Sequence, residues 1–192
     1  MDARSVAILR EILASTGWIE RTRELGLALR ATRSPGGLLV VGTPSEEPWH
    51  LTAHLSDEAR LAGLPQLAPT LVRWAPAPDA PAHLRVGLER IEQARRGETL
   101  FVVTEDRAPD PLLERVSDAR RVGATILALD GGDPELEGLA HDALVISEQG
   151  PLSFDGAQHL ISLAAGEGEQ RPGLRDRLAR LLDRVSGPRV PD

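Results

Sequence analysis

His50 and His54 stand four residues apart in Pro48-Trp49-His50-Leu51-Thr52-Ala53-His54. On a helix that spacing places both imidazoles on one face. Imidazoles titrate near neutral pH, so the pair can transfer protons or ligate a metal. The zinc-protease helix motif shares the spacing, but it needs a glutamate directly after its first histidine, where this chain has Leu51. A third ligand would have to come from His159 or Asp155. The plainer reading is a partly exposed structural pair, and no metal or cofactor is assigned. Two other segments carry polar groups directly after apolar runs. Gly42-Thr43-Pro44-Ser45 offers hydroxyls, and Thr104-Glu105-Asp106-Arg107 offers a hydroxyl, two carboxylates and a guanidinium. Acids at such a place favour the dipole of the helix that follows, with or without a ligand.

These segments need a scaffold, and the hydropathy pattern supplies one. Leu38-Leu39-Val40-Val41 is wholly apolar, as expected of a strand covered on both faces. Further strands are predicted at 70–74, 99–103, 125–129 and 144–146. Helical patterns lie between them at 46–60, 83–95, 110–121 and 135–139, and helices at 153–165 and 174–185 follow. Before the first strand, apolar positions from Val6 to Ala31 recur at helical spacing, with Gly17 as the break. Alternating strands and helices predict an α/β fold with a parallel sheet. Asp110-Pro111 and Asp133-Pro134 each read as a capping carboxylate before a proline at the first helical position. Pro48 leaves two helix starts open: a capping box at residues 43–46 followed by a kink, or a start at Pro48 itself. The proline-rich segment 75–81 is a stiff loop. In open parallel sheets, ligands bind at the carboxyl ends of strands. That places Gly42, Thr43, Ser45, His50, His54, Thr104, Glu105, Asp106 and Arg107 around one candidate cleft.

Composition sets the outer limits. The chain has 192 residues, a net charge of −7, and no cysteine or tyrosine. Its basic residues are all arginine. Without cysteine there is no disulfide framework, thiolate nucleophile or iron–sulfur site. The acidic balance argues against a nucleic-acid partner, whose phosphates need clustered positive charge. No apolar run approaches the roughly 20 residues needed to span a bilayer, and the first residues lack a signal-peptide pattern, so the expected location is the cytoplasm. Dinucleotide, Walker and nucleophile-elbow motifs are absent. Trp18, Trp49 and Trp74 read as packing or interface residues, and His83 and His141 as solvated side chains near helix ends.

The order of elements resembles the sugar isomerase (SIS) domain, and within it the phosphoheptose isomerase-like branch. The resemblance runs from about Ile19 to Glu167. It is carried by Gly97-Glu98-Thr99-Leu100-Phe101-Val102-Val103-Thr104, by Ala119-Arg120-Arg121-Val122-Gly123-Ala124-Thr125-Ile126, and by Leu139-Ala140-His141-Asp142-Ala143-Leu144. It implies a flavodoxin-like three-layer α/β sandwich with a five-stranded parallel sheet in the order 2-1-3-4-5. It also implies helices at 1–34 that contact a second copy, an SIS-like domain over 35–168, and a C-terminal helix and tail over 169–192.

The loops that carry the family's activity depart from its pattern. Its Gly-x-Gly-Gly-Ser turn reads Gly42-Thr43-Pro44-Ser45, and its hydroxyl-rich phosphate loop reads Thr104-Glu105-Asp106-Arg107-Ala108-Pro109. The resemblance retains a family histidine as His50 and puts His54 where the catalytic glutamate stands. The partnering histidine falls at Leu163 or Ala164. The expectation is therefore a non-catalytic SIS-like protein that binds a phosphosugar or other carbohydrate derivative and forms a dimer or tetramer. The alternative is a regulatory subunit of the initiator-associating type, supported by the arginine-rich end from Arg171 to Arg189 on a helix whose Leu174, Leu178, Leu181, Leu182 and Val185 have the spacing of a docking stripe. An active phosphoheptose isomerase ranks behind both.

Overall fold

The computed structural model describes residues 17–147, 149–150 and 152–167. The expected helices before Gly17 and after Glu167 lie outside the described residues. The first described helix, α1 (Trp18–Arg30), begins after Gly17. Strand β1 (Leu38–Val41), helix α2 (Trp49–Ala62) and strand β2 (Pro69–Val72) follow. A short α3 (Glu89–Glu92) precedes β3 (Thr99–Thr104), α4 (Asp110–Arg121) and β4 (Thr125–Asp130). The described chain closes with α5 (Pro134–Leu139), β5 (Asp142–Val145) and α6 (Phe154–Ala165). The strands form one five-stranded sheet in the order β2-β1-β3-β4-β5, and every neighbouring pair is parallel.

The apolar strands divide their side chains between two cores. Leu38, Val40, Phe101, Val103, Leu127 and Leu129 face α1, α2 and α6. Leu39, Val41, Leu100, Val102, Ile126 and Ala128 face α3, α4 and α5. This alternation requires apolar residues at every position of a strand buried on both faces, which is why the runs are unbroken. The result is the expected three-layer sandwich. α1 crosses α6 at Gly26, where a Cβ would stand 2.8 Å from Ala164 and the Ala165 nitrogen, so no larger residue fits without moving a helix.

Three local expectations are corrected. The segment predicted as a helix at 83–95 holds a single 3₁₀ turn at Ala82–Leu84 and the four-residue α3. Between them the chain runs beside β2: Arg73 bridges Gly87 in parallel, and its N–H donates to the Val86 carbonyl at 2.9 Å. Backbone pairing beyond the end of β2 has overridden the helical pattern. The helical pattern from residue 46 is shortened: α2 starts at Trp49 with Pro48 as its N-cap, which agrees with the second of the two starts left open. Asp110 does not cap α4; it is the first helical residue, Pro109 holds the N-cap, and no side chain caps this helix. Asp133 does cap α5, its carboxylate accepting from the Glu135 and Leu136 N–H groups.

Candidate functional site

β1 and β3 are neighbours in the sheet, while the chain leaves β1 for β2 on one side and β3 for β4 on the other. This is the topological switch point, where α/β sheets open a crevice at their carboxyl ends. Gly42 leaves β1 into a closed turn. The Thr43 N–H donates to the Glu46 carbonyl at 3.0 Å, and the Glu46 N–H donates to the Thr43 carbonyl and to Thr43 Oγ1. Thr43 Oγ1 and Ser45 Oγ are 3.0 Å apart. A Cβ on Gly42 would collide with the Glu46 carbonyl oxygen and lie 2.7 Å from Pro48 Cδ, so glycine is required by the turn itself. Trp74 holds the turn from behind, its Nε1 donating to the Gly42 carbonyl at 2.8 Å. Hydroxyls face this turn, but its Thr43 and Glu46 N–H groups are consumed within it and do not form an anion nest.

α2 then carries His50 and His54 toward α6. His54 meets His159 edge to face, with ring centroids 4.4 Å apart and planes at 62°. Burial, His54 and, more weakly, His50 hold His159 below the ordinary imidazole value, while Asp155 opposes them. Three imidazoles and one carboxylate thus share the α2–α6 side of the crevice. Among the described residues, no three His, Cys, Asp or Glu side chains converge as a metal-ligating group. Leu163 and Ala164, between which the resemblance left the place of the family's partnering histidine, pack against Ile19.

On the opposite side, β3 ends in Thr104, which is buried and donates from Oγ1 to the Asp106 carbonyl at 2.5 Å. The hydroxyl thereby shapes the loop and is not offered to a ligand as a donor. Glu105 and Asp106 raise the Glu46 carboxyl above the ordinary range, behind burial as the largest cause and together with Asp155. Glu46 in the β1 turn therefore feels one carboxylate from α6 and two from the β3 loop. Arg107 does not offset them. It turns away to Glu135, at 2.7 Å, and both side chains are more than half exposed, so the pair contributes little.

The candidate residues consequently divide between two places. Gly42, Thr43, Ser45, His50 and His54 belong to the β1 and α2 side. Glu105, Asp106 and Arg107 also line a cavity of about 230 Å³ against Gly131, Gly132, Asp133, Pro134 and Glu135. Its two loops are stitched together: a Cβ on Gly131 would strike the Glu105 carbonyl, and Asp133 Oδ2 accepts from the Ala108 N–H at 2.8 Å. Asp130 lies fully buried at the end of β4, accepting from the Gly132 and Asp133 N–H groups through Oδ1, while Oδ2 has no hydrogen-bond partner in the protein. Burial pushes its carboxyl above the ordinary range despite those two donors.

Sequence reading overlooked Glu46 as a crevice residue, because its spacing from Thr43 matched a helix cap. His141 is exposed beyond the end of α5, as expected, and its Nδ1 also accepts from the Ile126 N–H at 2.9 Å while its backbone N–H donates to the Ile126 carbonyl. Trp49 stands at the first turn of α2, 40% exposed, with the Arg73 guanidinium 4.7 Å from its ring centre. No described helix is long and apolar enough to cross a membrane. The arginine-rich end from Arg171 to Arg189, with its apolar stripe, lies outside the described residues.

No family profile and no curated protein matches the chain. Solved structures do. A protein assigned as a phosphosugar isomerase from Silicibacter pomeroyi superposes with a TM-score of 0.58 at 18% identity, over 93% of this chain and 53% of its own. A protein assigned as sugar-binding from Salmonella typhimurium gives 0.54 at 18% identity, over 93% and 52%. The sugar isomerase domain of an RpiR transcription factor from Sphaerobacter thermophilus gives 0.53 at 16% identity, over 83% and 85%. This chain thus spans about half the length of the first of these proteins. At such identities the likeness is one of fold: the chain has the sugar isomerase domain fold, a parallel sheet in the order 2-1-3-4-5 between two helical layers.

Proposed function

We propose that this chain is a non-catalytic protein of the sugar isomerase fold that binds a carbohydrate derivative in the β1–β3 crevice, gripping it through its hydroxyls. The fold supports a crevice at this place, and the structural neighbours include proteins assigned as sugar-binding or phosphosugar-handling. The observation that carries the reading is the charge of the crevice. Glu46 lies within electrostatic reach of Glu105, Asp155 and Asp106, while Arg107 is engaged by Glu135. Carboxylates accept hydrogen bonds from sugar hydroxyls at full strength but repel a phosphate. A phosphate would also need donors, and the Thr43 and Glu46 N–H groups and the Thr104 hydroxyl are spent internally.

Catalysis finds no support in the same geometry. Aldose–ketose isomerisation needs an acid and a base held at the sugar. His54 is packed against His159, and Leu163 and Ala164 are packed against Ile19. A thermal-shift panel of neutral sugars, amino sugars and sugar phosphates at millimolar concentration tests the reading, because a ligand bound only by the native state raises Tm. Unphosphorylated sugars are expected to give the larger shift. A larger shift with the phosphorylated members would overturn the hydroxyl-gripping reading, and no shift with any member would overturn carbohydrate binding.

A further inference from the structure

The crevice gathers carboxylates at the carboxyl ends of the strands, and the opposite edge of the sheet carries the reverse charge. The loops leading into β1, β3 and β4, at residues 31–37, 93–98 and 122–124, contain Arg33, Arg95 and Arg96 and a single acid, Glu98. The three strands are adjacent and parallel, so these loops stand side by side at the amino edge, one strand spacing of about 4.8 Å apart. Main-chain hydrogen bonds join them. The Arg33 N–H donates to the Gly97 carbonyl at 3.2 Å, the Thr99 N–H to the Gly37 carbonyl at 2.8 Å, and the Thr125 N–H to the Glu98 carbonyl at 2.9 Å. A buried hydrogen bond from Thr32 Oγ1 to Thr99 Oγ1 adds a side-chain tie. On this frame Arg33, Arg95 and Arg96 are exposed. Two of them lie across the next loop: a Cβ on Gly97 would stand 3.1 Å from Arg33 Cδ, and a Cβ on Gly123 would stand 3.4 Å from Arg96 Nε. We propose that this arginine row is a docking surface for an acidic peptide segment of a protein partner.

The acids nearby are already engaged. Glu98 is held by Arg90 at 2.5 Å, Glu92 by Arg115 at 2.9 Å and Asp118 by Arg121 at 2.7 Å. Among the described residues, Arg33, Arg95 and Arg96 form no ion pair. Arg120 adds a fourth cation that is not neutralised, since its Nη1 donates to the Gly138 and Leu139 carbonyls. On a chain with a net charge of −7, this edge is a local exception. Guanidinium groups bind carboxylates through paired, charge-assisted hydrogen bonds. The stems of Arg33 and Arg96 rest on a neighbouring loop, so they have less freedom to lose on binding. Val122, 54% exposed and next to Gly123, supplies an apolar contact within the row. None of the three loops carries an aromatic side chain on which a base could stack. The surface therefore fits carboxylates interspersed with an apolar side chain, and it does not fit a single-stranded nucleic acid.

This surface lies at the far edge of the sheet from the crevice, so its test is independent of the carbohydrate reading. Fluorescence anisotropy follows the full chain binding a fluorescein-labelled peptide of Glu-Glu-Leu repeats. The same peptide with glutamine for glutamate, and an oligothymidylate of equal charge, serve as comparisons. The acidic peptide is expected to bind saturably, about fivefold or more tighter than either comparison, and to weaken as salt rises from about 0.05 to about 0.3 M. Arg33→Gln/Arg96→Gln is expected to bind it about fivefold or more weakly than wild type. Arg85→Gln is expected to bind it as wild type does, because Arg85 is exposed beside Val86, beyond the carboxyl end of β2. No binding of the acidic peptide, equal binding of the glutamine peptide, tighter binding of the oligonucleotide, or undiminished binding by the double variant would each overturn the assignment. Should the double variant fail to fold, Arg95→Gln gives the same comparison, and the wild-type peptide series decides without either variant.

Discussion

Replacing Asp133 by alanine should destabilise the protein by about 3 kcal/mol, through two separable losses. The first is the cap of α5. Oδ1 accepts from the Glu135 and Leu136 N–H groups at 3.0 and 3.4 Å, and removing such a cap costs about 0.5–2 kcal/mol. The second is the stitch between loops. Oδ2 accepts from the Ala108 N–H at 2.8 Å, and Ala108 is buried, so truncation leaves a donor without a partner away from water. That adds about 1–3 kcal/mol. For a domain of this length, each kcal/mol lowers Tm by about 2–4 °C, so Asp133→Ala should melt about 6–12 °C below wild type. Asp133→Ser should recover part of the first loss, since serine caps well, but its hydroxyl is too short to span both loops and the second loss should persist. Thermal and urea unfolding at pH 7.5 check both variants. A loss under 1 kcal/mol for Asp133→Ala, or equal stability of Asp133→Ser and wild type, would refute the two-part reasoning.

Further outcomes follow from other parts of the molecule. Asp130 has its carboxyl raised by burial, so its charge destabilises the fold increasingly as pH rises above the ordinary carboxylate value. Asp130→Asn should therefore gain in Tm relative to wild type between pH 4 and pH 7, and a constant difference would contradict the assigned burial penalty. Gly42→Ala should destabilise by about 1–3 kcal/mol, because the new methyl meets the Glu46 carbonyl; a neutral result in urea unfolding would show that the turn is soft. Sedoheptulose 7-phosphate should not be isomerised above background, with or without zinc, and turnover abolished by His54→Ala would reverse the non-catalytic reading. Light scattering should return at least twice the 20.7 kDa chain mass, as the leading helices predict, and a monomer at micromolar concentration would contradict this.

The sheet was legible because its signal is local. Runs such as Leu38 to Val41 and Thr99 to Val103 have no polar position, and only a strand covered on both faces tolerates that. The Asp133 cap was legible for the same reason, since the carboxylate and the N–H groups it serves are two and three residues apart. What misled was long range. The helical pattern after the proline-rich loop yields to pairing between Arg73 and Gly87, partners 14 positions apart that no local propensity encodes. Asp110 resembles Asp133 in sequence, yet Pro109 takes the cap position and the neighbouring loop is served by Asp133 from across the sheet edge. In the crevice, spacing placed His50 and His54 on one face, but the contact of His54 with His159 spans 105 residues of chain. Arg107 read as a cleft cation, and its capture by Glu135 depended on how two loops approach each other.

The central claim is that the crevice grips hydroxyls and rejects phosphate. Isothermal titration at pH 7.5 with matched pairs, each sugar against its own phosphate ester, tests it directly. The account predicts that at least one unphosphorylated sugar or amino sugar binds and that its phosphate ester binds at least about tenfold more weakly, a difference of 1.4 kcal/mol. Tighter binding of the ester across the pairs would contradict it.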